Sequence, residues 1–188
     1  KADIFFSRVF SALVVILFLL LIIFEIFMPI IINIIAPGFN DNPYKFQITV
    51  ELSRLTFPFV LFVCLTSLAG AYLNTLGKFA AMAFTPVILN LTMIGTLLLF
   101  FNESSELLIS KYLSFSISLA GLFQIIWMMI NLKKNNVEFK FQFLNFFTRL
   151  KISDETKKLL TLLLPAIIGN GAYQLNLLID MILASTLP

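Results

Sequence analysis

Long, mainly apolar runs alternate along the chain with brief polar punctuation, and a single long polar stretch, at 133–156, divides the pattern. The runs at 9–35, 46–76, 79–101 and 107–132, and the last one within 157–188, are each long enough to cross the roughly 30 Å hydrocarbon core of a bilayer as a helix. The predicted class is therefore all-α, a polytopic transmembrane helix bundle. At 1.5 Å per residue the first run would measure about 40 Å, so it is expected to tilt or to project beyond the core.

The punctuation sets how the runs connect. Residues 36–45 hold Pro37, Gly38, Asn40, Asp41, Asn42 and Pro43, which is loop chemistry, and 102–106 is a short polar loop. The turn from Asn74 to Lys78 is so short that the arms on either side are expected to stand antiparallel and adjacent, with the rest of the chain packed around that hairpin. Each arm carries a proline, Pro58 or Pro86. In lipid such a residue is tolerated only where a neighbouring helix, a side chain or water satisfies the carbonyl it frees. Pro165 with Gly169 and Gly171 predicts a bend in the last span. In the fourth run, Ser114 with Ser118 and Ser116 with Ala120 lie four apart and permit close helix approach, and Trp127 is expected at the membrane interface.

The polar stretch reads as a connector. Phe139, Phe141 and Phe143 alternate with Glu138, Lys140 and Gln142, and Phe146 and Phe147 follow, so one face is expected in the headgroup zone. Ser153 followed by Asp154 and Glu155 is a helix start with a side-chain cap and acids in the first turn.

Composition agrees with the pattern and removes several chemistries. The chain is 60% hydrophobic and 12% charged, with a mean hydropathy of +0.99, far from a soluble domain. It has no histidine and one cysteine, Cys64, which reads as a small core residue, so transition-metal sites, a Cys-His nucleophile and a disulfide framework are excluded within this chain. No Gly-x-x-x-x-Gly-Lys phosphate loop and no paired carboxylate motif is present, which points to a transporter rather than an enzyme and to no organic cofactor. If the connector lies inside the cell, ten cations including Arg8, Lys78, Lys133 and Lys134 fall on that side, and only Lys45 and Lys111 flank spans on the other. This distribution accounts for the net charge of +3 through anionic lipid, without nucleic acid.

Ionisable residues inside the spans are the functional candidates. Glu25 lies ten residues before the end of the first run and Arg54 about eight after the start of the second, which puts both roughly 12 to 15 Å below the outer surface. They are expected to face each other or a shared cavity; the alternative is an Arg54 that snorkels outward. Asn74, Asn90, Gln174 and Asn176 either line a wet cavity or bond between helices. Asn176 and Asp180 are one helical turn apart, an amide and a carboxylate suited to sodium or a proton. The alternative is an Asp180 paired with a cation such as Arg54.

Five segments in order carry a resemblance: Ala36-Pro-Gly-Phe39, Arg54-Leu-Thr-Phe-Pro58, Leu73-Asn-Thr75, Ala83-Phe-Thr-Pro-Val-Ile-Leu-Asn90, and Gln174-Leu-Asn-Leu-Leu-Ile-Asp180 with Ala184-Ser185. Together they resemble the MurJ (MviN) lipid II flippase family of the MOP exporter superfamily. The resemblance implies five spans of a larger two-lobe alternating-access transporter, the third to seventh of fourteen, with 1–132 in the N-terminal lobe and 157–188 opening the C-terminal one. The start at Lys1 and the stop at Pro188 are expected of such an excerpt. It also implies a multi-pass protein of the bacterial cytoplasmic (inner) membrane, acting as a monomer on lipid II, an undecaprenyl-pyrophosphate-linked peptidoglycan precursor, among membrane lipids. The family's essential arginines lie on spans that this chain lacks. The position matching Asp180 can carry an acid that helps to bind sodium. A MATE-type multidrug or cation antiporter is the alternative, and a non-transporting scaffold the third reading, which proline-broken helices and ionisable residues in the spans disfavour.

Overall fold

The computed structural model describes residues 2–139 and 154–186, and among these the regular structure is helical, with no strand. Helix α1 runs Ala2–Ile35, and a 3-10 turn, Pro37–Asp41, follows. The second span is two helices, α2 at Pro43–Thr56 and α3 at Pro58–Thr75. The third is also split, into α4 at Ala80–Ala83 and α5 at Thr85–Leu99. Then come α6 at Glu106–Lys134 and α7 at Asp154–Ser185. Five stretches are long and apolar enough to cross a membrane: α1, α2 with α3, α4 with α5, α6, and residues 161–185 of α7.

Helix ends follow local chemistry. Asn42 caps α2 by accepting from the Lys45 N–H at 3.1 Å, and Ser105 caps α6 through the Leu108 N–H. After α3 the chain reverses through Gly77 at φ +73°. There the Gly77 N–H donates to Asn74 O and the Lys78 N–H to Leu73 O, both at 3.0 Å, a paired closure that needs a left-handed residue. Asn136, at φ 56°, closes α6 in the same way, with its N–H on Lys133 O and the Val137 N–H on Leu132 O. Asparagine tolerates this conformation better than other side chains do.

The helix at the centre is α6. It packs against α2, α3, α4 and α5, whereas α3 and α5 do not touch each other. The hairpin arms expected to stand side by side meet only near their turn, through α4, and α6 lies between them. Small side chains make this possible. Ser114, Ser116, Ser118, Ala120 and Gly121 are all buried, and a Cβ on Gly121 would sit 2.9 Å from Phe59 and Phe62. One core cluster gathers Phe6, Phe10, Leu65, Leu73, Met128 and Leu132 near the start of α1 and the ends of α3 and α6; a smaller one joins Met28, Ile32 and Val50 near the 3-10 turn.

Three features differ from the sequence expectation or add to it. Helix α7 is continuous through Pro165, Gly169 and Gly171, as α1 is through Pro29, so these residues do not interrupt the last span. Trp127 donates its indole N–H to Ala81 O at 3.0 Å and packs against Phe84. Phe139 packs against Phe6 and Phe10 instead of lying free for the membrane surface. Residues 140–153, with Phe141, Phe143, Phe146, Phe147 and Ser153, lie outside the described residues.

Candidate functional site

Because α1 and α2 are joined by a short turn and pack antiparallel, Glu25 and Arg54 come to the same level. The Arg54 Nε–H donates to the Glu25 main-chain oxygen at 3.2 Å, and Nε lies 4.0 Å from Glu25 Oε2. The other carboxylate oxygen, Oε1, is covered and has no donor among the described residues. The pair is thus held by one good hydrogen bond to backbone and a looser charge contact.

Arg54 also edges a lateral groove of about 310 Å³ between the Pro58 break and α6, lined by Leu55, Phe62, Phe115, Ser118 and Leu122. The break forms because Pro58 has no N–H and its ring crowds the preceding turn. On that turn the Leu55 carbonyl accepts from the Ser118 hydroxyl at 2.6 Å. The second break is handled by the same helix. The Met82 carbonyl, four residues before Pro86, accepts from the Thr85 hydroxyl at 2.9 Å. Thr85 O accepts from Gln124 Nε2 at 2.9 Å, and Ala81 O from Trp127. Ser118, Gln124 and Trp127 of α6 therefore serve carbonyls at both proline breaks. The sequence signal for this role is a proline in one span and buried polar side chains in a neighbour; the four-residue spacing of Ser114 and Ser118 signals only small side chains.

The other predicted residues do not converge on one cavity. Asn74 is half-buried with an Oδ1 that has no donor among the described residues, while Asn90, Gln174 and Asn176 are exposed. On α7 the covered residues Gly171, Leu178, Ile182 and Ser185 fall within about 60° of arc, and Asn176 and Asp180 lie about 140° to 180° from Gly171 on the opposite face. Since α7 touches only α1 and the 3-10 turn among the described elements, Asp180 is turned away from the described bundle and does not meet Arg54. No group of three or more His, Cys, Asp or Glu residues able to hold a metal ion occurs among the described residues.

The two ends of the bundle are tied differently. At the end holding the start of α1, Asp3 accepts from the Tyr72 hydroxyl and from the Glu138 N–H, and Tyr72 stacks on Phe6 at 4.3 Å. At the opposite end Lys111 pairs with Glu51 at 2.7 Å, and the Gly38 N–H donates to Ser185 Oγ at 3.4 Å.

A family model described as "Lipid II flippase MurJ" matches residues 1–188. The chain belongs to the MurJ family. A protein of Rickettsia prowazekii (strain Madrid E) named "Probable lipid II flippase MurJ" is 40% identical over 186 residues, covering 98% of this chain and 34% of the relative. Proteins of the same name from Rhizobium tropici and Rhizobium meliloti (strain 1021) are 35% and 34% identical, each over 96% of this chain and 33% of the relative. The chain thus spans about a third of the length of these MurJ relatives. With five membrane-length apolar stretches, membership in this family makes the chain part of a multi-pass membrane protein.

Proposed function

We propose that the protein to which this chain contributes moves lipid II from the inner to the outer leaflet of the bacterial cytoplasmic membrane by alternating access. The observation that carries this reading is the family match over residues 1–188. On this reading the chain supplies the third to seventh of fourteen spans, α1 to α6 belong to one lobe, α7 begins the other, and the protein works as a monomer. The connector lies on the cytoplasmic side, where the positive-inside rule puts Lys78, Lys133 and Lys134.

Depleting the protein in its host is expected to stop wall synthesis, with lipid II accumulating in the inner leaflet and cells losing shape. Normal wall synthesis combined with drug sensitivity would instead indicate an antiporter. Asp180 and Asn176 are proposed as the chain's share of a coupling site for sodium or a proton, because both lie on the face of α7 that the described helices leave uncovered. In the reconstituted full-length protein, Asp180→Asn is expected to lower flipping at least tenfold and to flatten its dependence on sodium or membrane potential. Full activity with an unchanged dependence would reduce Asp180 to a structural residue.

A further inference from the structure

We propose that the 3-10 turn Pro37–Asp41 and the last turn of α7 form a latch that holds the outer end of the lobe interface shut and must part in each transport cycle. The proposal rests on the two-lobe transport reading above.

The contact is specific on both sides. Gly38 lies so close to α7 that a Cβ there would meet the Ser185 carbonyl oxygen, 2.6 Å from the carbonyl carbon of Ser185 and 2.9 Å from Thr186 Cα. Only glycine allows this approach. The Gly38 N–H donates to Ser185 Oγ at 3.4 Å, and that hydroxyl donates back to Ile182 O at 2.7 Å, so its lone pairs are presented to the turn. Ser185 is 9% exposed on a helix whose other described side chains are exposed or half-exposed.

The seat itself is fixed. The Asn40 amide bonds Asn33 of α1, Asn42 caps α2, and Lys45 Nζ stands 4.1 Å over the Phe39 ring. Against this rigid seat α7 makes little else: it packs on α1 and the turn alone among the described elements. One hydrogen bond across the contact and a strip of three side chains and a glycine are a contact of the size that can open and close reversibly, unlike the interdigitated core around α6. The polar atoms involved are a backbone N–H and a hydroxyl, which water can serve once the contact parts.

Two measurements on the full-length protein in a cysteine-free background test this. In the first, Phe39→Cys with Thr186→Cys is joined by a short reducible thiol cross-linker and reconstituted. Lipid II flipping is expected to fall at least tenfold and to return on reduction; cross-linked protein that flips at the reduced rate overturns the latch. In the second, Gly38→Val forces the contact open, and a single cysteine at Leu178, on the covered face of α7, reports access from outside. Labelling of Leu178→Cys by a membrane-impermeant maleimide is expected to rise severalfold over the same protein with Gly38 intact, and unchanged labelling of folded protein overturns the latch. The labelling needs no flipping activity, so it judges the latch alone, whereas failure of the unmodified protein to flip lipid II would sink the transport reading.

Discussion

Arg54→Leu is expected to destabilise the folded protein by about 2–4 kcal/mol, and adding Glu25→Gln to restore more than half of that loss. Removing the guanidinium leaves a carboxylate whose one covered oxygen already has no donor among the described residues, and an unpaired charge near the middle of a membrane span costs about 2.5–3.5 kcal/mol. Glu25→Gln alone is milder, because the Arg54 Nε–H keeps its bond to the Glu25 main-chain oxygen. Thermal midpoints of the wild type, both single variants and the double in one detergent form a closed cycle. A double variant no more stable than Arg54→Leu would mean that the two charges are not coupled.

The second large effect is expected at the Pro86 break. Trp127→Phe keeps most of the ring that packs on Phe84 but removes the one donor that reaches Ala81 O from another helix among the described residues. In a membrane such an interhelical bond is worth about 0.6–1.7 kcal/mol, and stranding the carbonyl adds to that, so a loss of about 1–2 kcal/mol is expected. Gln124→Leu is expected to cost less. It deletes the bond to Thr85 O but also a buried Oε1 that has no donor among the described residues. The order of the two melting temperatures is the discriminating result: a Trp127→Phe protein as stable as wild type would show that the indole N–H contributes nothing to holding α4 and α5.

Much of this arrangement was legible in the sequence because it depends on one-dimensional quantities. Run length and polarity marked the membrane stretches, proline marked where α2 gives way to α3, and residue counts from a shared loop brought Glu25 level with Arg54. What was not legible depends on helix rotation. Whether Ser118 spends its hydroxyl on its own helix or on Leu55, and whether Trp127 points to headgroups or to Ala81, is decided by tens of degrees about the α6 axis. Adjacency was misread for a related reason. A tight turn forces two arms to meet at the turn but not along their length, and the glycine and serine face of α6 fits between α3 and α5. The Gly38 contact with Ser185 links positions 147 apart in sequence, with no charge or motif to announce it.

The one-ended seating of α7 has a mechanical consequence. With 32 residues the helix is about 48 Å long, and its covered residues, Gly171 to Ser185, all lie in its second half. The first half, about 25 Å from Asp154 to Asn170, is a lever arm whose described side chains are exposed. A tilt of about 10° about Gly171 sweeps the end of that arm through about 4 Å, while the turn at Gly38 shifts hardly at all. On the two-lobe reading proposed above, α7 can swing by such a stroke without disturbing a single contact inside the α6-centred bundle.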